Sequence, residues 1–260
     1  MPFLGVDIGG TNIDVVLLED SGEFRYLRSF KTSDKISEIP EIIKDYERRY
    51  GVERSCLGIA AWIKAGKIVK APNLPTIPEF DGLMENDANC FAFYAAKKFA
   101  FGNMLGITVG TGIGAGIVID GKIYRGKGLA GEIGHVVVGN TEDSRTCVCG
   151  GKDHLEAYFG GWAIKKETGM EAKELFKLDE SKIYEMKGFK DFCRAIGFAV
   201  MLMDFEAVII GGGIGNRLDI ARLKEEVGNY LMPEFNPEIA SIKDELAVAK
   251  GAALLAKEGS

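Results

Sequence analysis

The sequence predicts an α/β protein built from two related halves. Its 260 residues are enough to bury a substantial core. Segments typical of strands alternate with segments typical of helices along the chain. A unit of strand, glycine turn and strand occupies residues 3–18, and the same unit starts again at Met104. This recurrence indicates that the halves share one plan, and no linker-like stretch separates them.

Composition excludes several classes of protein. Apolar residues make up 47% and charged residues 27%, as in globular proteins. The net charge of −6 argues against a general nucleic-acid or membrane-surface binder. No apolar run approaches the ~18 residues of a membrane-spanning helix, and the N-terminus lacks the pattern of a signal peptide. Five scattered cysteines without an export signal predict free thiols in the cytoplasm.

The elements of the first half follow from its periodicity. "FLGVDIGG" and "NIDVVLLED" predict a hairpin, and "GEFRYLRSFKT" predicts a third strand. A helix is expected over "ISEIPEIIKDYERRYG", ending at Gly51 as its C-cap. The remaining segments are, in order, a buried strand at "CLGIAAWI", a short strand in "GKIVKAPNLP" and a strand-to-helix junction in "LMENDANCFAFYAAKKFAFG".

The second half begins with the strand, turn and strand of "MLGITVGTGIGAGIVIDGKIY". "AVIIGGGIGN" predicts another strand with a glycine turn, and "ELAVAKGAALLAKE" predicts a closing helix. Helical character is also present in "EAYFGGWAIKKETG", "SKIYEMKGFKDFCRAIGFAVMLMDF" and "RLDIARLKEEVGNYL". We place a smaller α/β domain at residues 1–100 and a larger one at residues 101–246. The helix at 247–260 is expected to pack back on the first domain.

The first glycine turn is a candidate phosphate site. Gly9 and Gly10 let backbone N–H groups approach a phosphate, and Thr11 and Asn12 can add side-chain donors. Asp7 could hold Mg²⁺ through water. The alternative is an ordinary hairpin turn with a capping aspartate.

Two further glycine turns are of the same kind: Gly110, Thr111 and Gly112 form one, and Gly211, Gly212 and Gly213 form the other. A dinucleotide-binding fingerprint requires a glycine turn that leads into a helix, whereas the first turn here leads into a strand. Three phosphate-type turns spread over both halves therefore favour a nucleoside triphosphate held in a cleft.

Polar residues at two places suit an alcohol substrate. In "ENDAN", Asp87 could act as a general base towards a hydroxyl group, with Asn86 fixing the substrate. The alternative for this stretch is a helix N-cap, since Asn and Asp are the residues that caps use. Glu132, His135 and Glu156 offer further polar groups for a polyhydroxylated ligand.

Both histidines of the chain lie near a Cys-x-Cys pair. His135, Cys147, Cys149 and His154 form a candidate tetrahedral Zn²⁺ set with two nitrogens and two sulfurs. The alternative is a loop with two free thiols. The gathering of both histidines in one neighbourhood favours zinc.

Taken together, these motifs resemble those of one family. "GVDIGGTN", "ENDAN", "VGTGIGAGIVIDGKIYRGKGLAGEIGH", "CVCG…LE" and "VIIGGGIG" occur in its order and span nearly the whole chain. The chain resembles the ROK family (repressors, open reading frames and kinases) of the actin-like ATPase superfamily. The resemblance implies two actin-like (ribonuclease H-like) domains with a nucleotide and sugar cleft between them.

The resemblance also implies an activity, ATP-dependent phosphorylation of a hexose, with glucose at its 6-hydroxyl as the expected substrate. Fructose, mannose and the N-acetylhexosamines GlcNAc and ManNAc stay open as alternatives. The implied cofactors are ATP, catalytic Mg²⁺ and structural Zn²⁺. A homodimer is expected, with a small-molecule sugar as substrate and no nucleic-acid or membrane partner.

Site roles carry over by motif. Asp87 would be the catalytic base and Asn86 a sugar contact, while Glu132, His135 and Glu156 would hold sugar hydroxyls. The remaining roles are phosphate binding by residues 7–12 and 109–112, and nucleotide binding by Gly211–Gly213. His135 could bind zinc through one ring nitrogen and approach the sugar with the other.

Two departures from the family pattern concern the site. The family's zinc set resembles His135 plus three cysteines, but here His154 replaces the third cysteine and Asp153 replaces the preceding glycine. Where the family often has a Pro-Gly-Pro turn near the sugar, this chain has Ala60, Ala61 and Trp62. One wall of the sugar pocket therefore departs from the family pattern, and the choice of hexose stays open. The chain is also shorter than most ROK kinases.

Two rival functions remain. A sugar-sensing repressor needs a DNA-binding segment before the core, but the first core strand is expected to begin by Phe3 in an acidic chain. An ATPase activator with an Fe–S cluster would need no sugar site, so "GEIGH" and residues 147–156 argue against it.

Overall fold

The computed structural model describes residues 1–139 and 144–259. The strands within these residues are β1 (Phe3–Ile8), β2 (Asn12–Leu18), β3 (Phe24–Lys31), β4 (Arg54–Ile59), β5 (Trp62–Lys64), β6 (Lys67–Lys70), β7 (Leu83–Asn86), β8 (Met104–Val109), β9 (Ile113–Ile119), β10 (Lys122–Ile123), β11 (Ala207–Gly211) and β12 (Glu238–Ser241). The α-helices are α1 (Thr32–Lys35), α2 (Ile39–Tyr50), α3 (Asp87–Phe99), α4 (Glu156–Phe159), α5 (Gly161–Thr168), α6 (Ala172–Leu178), α7 (Ser181–Glu185), α8 (Lys187–Met203), α9 (Gly212–Gly215), α10 (Ile220–Gly228) and α11 (Ala247–Glu258). None of the helices in the described part of the chain is long and apolar enough to cross a lipid bilayer.

The strands form two five-stranded sheets with one topology. The orders are β3-β2-β1-β4-β7 and β10-β9-β8-β11-β12, and β5 pairs with β6 in a separate hairpin. In the first sheet β1 is antiparallel to β2 and parallel to β4, and in the second sheet β8 is antiparallel to β9 and parallel to β11. The predicted α/β fold with two related halves is confirmed.

The chain divides into two compact units. The first comprises Met1–Ala100, Gly121–Ala130 and Asp244–Ser260, and the second comprises Phe101–Asp120 and Gly131–Lys243. Each unit has its own apolar core. The first core joins the sheet residues of β1, β2 and β4 to α2, and the second joins β8, β9 and β11 to α8.

The C-terminal helix α11 packs against β1 and α3 in the first unit at very close range. A methyl group on Gly5 of β1 would overlap the Ala249 carbonyl, and one on Gly251 would overlap the Cys90 carbonyl. The alanines and glycine of "AVAKGAALLAKE" therefore serve as a thin face that allows backbone-to-backbone packing.

Several elements differ from the sequence expectation. The single strand expected at "CLGIAAWI" is wrong, because β4 ends at Ile59 and the chain turns so that β5 can pair with β6. The helical stretch after Glu156 breaks at Gly160, since the next N–H, of Gly161, bonds to the Gly110 carbonyl (3.0 Å). The long helix expected from residue 181 breaks at Met186, which has extended backbone. The short elements α6 and β12 were not predicted.

Candidate active site

The first glycine turn, at residues 9–12, is held by hydrogen bonds from Thr32, the first residue of α1. The Gly9 N–H donates to the Asn12 carbonyl (3.0 Å), which closes the turn. The Thr32 hydroxyl donates to the Gly9 carbonyl (2.7 Å), and the Thr32 N–H donates to the Thr11 carbonyl (3.0 Å). The side chain of Asn12 accepts from Lys31 Nζ (3.1 Å). The Gly9 N–H is therefore used within the turn, and Thr32 bonds only to turn carbonyls, so Gly10 and Thr11 carry the N–H groups that are candidates for contact with an anion.

Three carboxylates lie at the end of the first sheet. Asp7 on β1 is directly opposite Asp14 on β2, and Asp87 follows β7, whose carboxyl end lies at the same edge as that of β1. Burial, followed by the negative charges of Asp87 and Asp14, raises the pKa of Asp7 well above its ordinary value. Burial also raises the pKa of Asp87 to about 6, although backbone N–H groups at the start of α3 oppose that shift.

Asn86 and Asp87 divide two roles between them. The Asn86 side-chain oxygen accepts from the N–H groups of Ala88 (2.9 Å) and Asn89 (3.2 Å), so Asn86 is the N-cap of α3. Its amide nitrogen donates to the Ala61 carbonyl (3.1 Å), in the stretch that departs from the family pattern. Asp87 is the first residue of the helix, and its carboxyl accepts from the Ala88 N–H (2.9 Å). The helix-cap interpretation of "ENDAN" therefore applies to Asn86, and the general-base interpretation stays a prediction for Asp87.

Sequence reasoning missed an ion pair of a buried glutamate beside this motif. Glu85 is only 5% exposed, and its Oε1 accepts from the Asn86 N–H (2.9 Å) and from Asn89 Nδ2 (2.8 Å). Its Oε2 accepts from Arg125 Nε at 2.6 Å. The only sequence signal was a carboxylate directly before Asn86, because the partner is 40 residues away along the chain.

The second glycine turn is braced by Glu156, which is 7% exposed. The Gly110 N–H donates to the Gly112 carbonyl (2.9 Å), and the Ile113 N–H donates to Glu156 Oε2 (2.9 Å). A methyl group on Gly112 would overlap the Glu156 carboxylate. Trp162 Nε1 donates to Glu156 Oε1 at 3.4 Å. Glu156, which was predicted to hold a sugar hydroxyl, thus also supports the second glycine turn.

The third glycine turn lies against the end of β8. Gly211 is paired with Thr108 in the parallel register of β11 and β8. Gly212 has a φ of +86°, and a methyl group there would meet the Val109 backbone oxygen at 2.6 Å. Gly213 has open space where a side chain would be. The second and third turns therefore lie at the same edge of one sheet, as two parts of one nucleotide site would.

The four candidate metal ligands lie together. His135 Nδ1 is 3.6 Å from Cys147 Sγ, and His154 Nδ1 is 3.1 Å from Cys149 Sγ. All four ligand atoms are within 4.8 Å of one another. A tetrahedral zinc with bonds of about 2.0–2.3 Å separates its ligand atoms by roughly 3.3–3.8 Å, so small side-chain shifts would complete the geometry. Burial raises the pKa of the Cys147 thiol to about 11.

The loop that carries these ligands is tied to the 3-10 turn at Ile133–His135. The Leu155 N–H donates to the Val136 carbonyl (3.0 Å), and Val137 is bridged to His154. His135 Nε2 is 3.7 Å from Glu132 Oε2. The imidazole thus presents one nitrogen to the cysteine cluster and the other to a residue predicted to bind sugar.

Comparison with known proteins decides the family. The ROK family profile matches residues 3–259. The chain belongs to the ROK family. This confirms the resemblance drawn from the five motifs.

Relatives within the ROK family are sugar kinases of more than one specificity. The chain is 29% identical to the glucokinase of Thermotoga maritima, with 99% of this chain and 98% of the relative covered. It is 26% identical to the N-acetyl-D-glucosamine kinase of Histophilus somni, with 82% and 84% covered. Among solved structures, a ROK family glucokinase from Streptomyces griseus in complex with glucose and AMPPNP is 25% identical, with 100% of both chains covered and a TM-score of 0.73.

Proposed function

We propose that this ROK protein uses ATP to phosphorylate the 6-hydroxyl of a hexose, with glucose as its substrate. Membership of the family and the kinases among its relatives identify the general activity, ATP-dependent phosphorylation of a sugar. The observation that supports the chemical assignment is Asp87, a carboxyl group with a pKa of about 6 at the end of the first sheet. A base of that strength is ionised at neutral pH and still accepts a proton readily.

In the proposed reaction, Asp87 accepts the proton of the sugar hydroxyl as the hydroxyl oxygen attacks the γ-phosphorus in line with the departing ADP. Asn86 is fixed by its capping bonds and by the Ala61 carbonyl, so its amide can orient a sugar hydroxyl at little entropic cost. Glu132, His135 and Glu156 are the proposed contacts for the other hydroxyl groups.

The glycine turns are the proposed ATP contacts. Residues 10–12 and 111–112 would donate backbone N–H groups to the phosphates. Gly9 and Gly110 would line the same turns, with their own N–H groups bonded inside the turn. Residues 211–213 would lie against the nucleotide. An ATP analogue bound to the Streptomyces griseus glucokinase supports ATP as the donor. Mg²⁺, held through water by Asp7, would neutralise charge on the phosphoryl oxygens. Burial, followed by the charges of Asp87 and Asp14, raises the pKa of Asp7, and a cation there would favour the charged carboxylate against both causes.

Zinc is the proposed structural metal. The donor set of two nitrogens and two sulfurs within 4.8 Å suits Zn²⁺ better than the oxygen-binding cations. When bound, the metal would fix the loop and the orientation of the His135 ring. Glu132, at 3.7 Å from the other ring nitrogen, would be the outer partner that holds this orientation.

Glucose is preferred over an N-acetylhexosamine because the glucokinase relative matches at higher identity and over more of this chain. The N-acetyl-D-glucosamine kinase relative is the observation that keeps an N-acetylhexosamine as the second candidate. The wall at Ala60–Trp62 is the segment where the two would be distinguished, since it contacts Asn86 through Ala61.

The test is ADP release from Mg-ATP with a panel of glucose, mannose, fructose, N-acetylglucosamine and N-acetylmannosamine. We expect the highest kcat/KM with glucose. The control is 6-deoxyglucose, which lacks the acceptor hydroxyl and should yield no phosphorylated sugar by mass spectrometry. A higher kcat/KM with N-acetylglucosamine than with glucose would make N-acetylglucosamine the proposed substrate. ADP release that no sugar stimulates would overturn the kinase proposal.

We also propose a cytoplasmic location, where ATP is supplied and where the five cysteines, all unpaired in the structure, would stay reduced. The homodimer stays a prediction, to be tested by light scattering of the purified protein.

A further inference from the structure

Glu85 is a buried carboxylate near the end of β7, just before the proposed base Asp87. It is opposite Gly58 in the parallel β4–β7 register, and it lies two positions before Asp87. One carboxylate oxygen accepts from the Asn86 N–H and from Asn89 Nδ2, so it is bonded to the first turn of α3. Glu85 is only 5% exposed, and a charged group at such a position is stabilised by a paired cation.

Arg125 supplies that cation from a different part of the chain. Its Nε is 2.6 Å from Glu85 Oε2, and the arginine side chain is 40% exposed while that of Glu85 is 6% exposed. Arg125 lies in the segment Gly121–Ala130, which packs within the first unit. The pair is therefore an internal contact of that unit between a strand end and a long connecting segment.

The same segment has a second anchor three residues on. Gly128 has a φ of +111°, and a methyl group there would meet the Ile63 carbonyl at 2.7 Å and the Lys64 Cα at 2.8 Å. The segment also bonds to itself, because the Arg125 carbonyl accepts from the N–H groups of Gly128 (2.7 Å) and Ala130 (3.2 Å). It is thus a fixed strap with two attachment points, one of them the ion pair.

The strap continues directly into residues 131–135, which carry the proposed sugar ligands Glu132 and His135. Strand β7, in which Glu85 pairs with Arg125 of the strap, leads directly to Asn86 and Asp87. We propose that Glu85 and Arg125 are positioning residues, a half-buried ion pair that fixes the proposed base and the segment leading to the sugar ligands relative to β7. This inference rests on the proposed function and adds two residues to it that do not touch the substrate.

The central variant is Arg125→Met, which removes the cation and leaves the Glu85 charge buried. We expect kcat/KM for the sugar to fall by about 10-fold to 100-fold, since small displacements of reacting groups have effects of that size. The KM for ATP should stay within about twofold, because the ATP contacts lie elsewhere. Arg125→Lys, which keeps the charge, should restore part of the loss. The matched control is Lys127→Met, which removes an exposed cation from the same strap.

A double variant separates positioning from general damage. Glu85→Gln keeps an acceptor for the Asn86 N–H and removes the charge. The double variant Glu85→Gln/Arg125→Met should therefore have a higher kcat/KM for the sugar than Arg125→Met alone, because no charge is left buried without a partner. Equal losses in the sugar and ATP parameters, with a double variant no better than the single one, would overturn the inference.

Amide hydrogen exchange tests the Glu85–Arg125 ion pair independently of catalytic activity. Arg125→Met should speed exchange in residues 83–90 and 121–135 but not in α2, whereas Lys127→Met should leave both segments unchanged. If the wild-type protein phosphorylates no sugar, the proposed function fails, and the exchange result alone decides whether the pair holds the two segments. Unchanged exchange in both segments would overturn the inference even if the kinase assay succeeds.

Discussion

Asp7 faces Asp14 across the β1–β2 pair at the end of the first sheet's central strand, whereas Thr108 faces Gly114 at the same place in the second sheet. The two sheets have one strand order and equivalent registers at this point. The shared fold therefore does not require carboxylates at this position, since the second sheet has Thr108 and Gly114 there. They are a local addition to the first unit, at the edge where Asp87 also lies.

The two turns that follow these strands differ in their support. The first is held by the hydroxyl and N–H of Thr32, which bond to turn carbonyls. The second is held by Glu156, a buried carboxylate that accepts from the Ile113 N–H. The same backbone plan thus carries acids at the edge of one sheet and an acid beneath the turn of the other. The predictions below test whether this division is functional.

The largest expected effect is at the edge of the first sheet that carries Asp87. Asp87→Asn keeps the shape of the side chain and removes the proposed base, so sugar-dependent ADP release should fall by about 100-fold or more. The control is Asp45→Asn on α2, whose carboxylate is 67% exposed and pairs with Arg48. Near-normal turnover in Asp87→Asn, measured beside an active control, would remove Asp87 from the role of base.

The next effect concerns the four candidate zinc ligands of the second unit. His154→Ala should weaken zinc binding by more than about 100-fold, the upper range for the loss of an outer partner of a ligand. His154→Cys restores the sulfur-rich set implied by the family and should bind zinc at least as tightly as the wild type. Zinc content by mass spectrometry, together with chelator competition, measures both. Equal zinc content in His154→Ala and the wild-type protein would exclude His154 as a ligand.

The sequence predicted what is repeated or short-range and missed what depends on distant contacts. The recurring strand, turn and strand identified both sheets, and "ENDAN" located a helix start because caps are local. The ion pair of Glu85 with Arg125 was missed, since nothing near either residue indicates the other. The break at Gly160 was missed for the same reason, because the bond that causes it runs from Gly161 to Gly110. The proposed roles of the site residues stay predictions.

The brace beneath the second turn can be tested by stability. Gly112→Ala would push a methyl group into the Glu156 carboxylate, so the free energy of unfolding should fall by about 1–3 kcal/mol, as for other overpacked sites. Gly110→Ala is the matched control two residues earlier, where a methyl group meets nothing within 4 Å. Urea unfolding of both variants measures the difference. Equal stability of the two would mean that Glu156 moves aside freely and does not brace the turn.

The smallest effect is a pH dependence that only the first unit should produce. Asp87 must be ionised to accept a proton, and burial places its pKa at about 6. As the pH falls through that value the carboxyl group becomes protonated, so kcat/KM should drop by about tenfold per pH unit on the acid side and be level above it. The profile of the wild-type protein, measured with glucose at saturating Mg-ATP, gives the apparent pKa. An acid limb that persists unchanged in the residual activity of Asp87→Asn would assign the titration to another group. If the acid limb disappears in that variant, the pH dependence is assigned to Asp87 at the edge of the first sheet and not to the backbone plan that both sheets share.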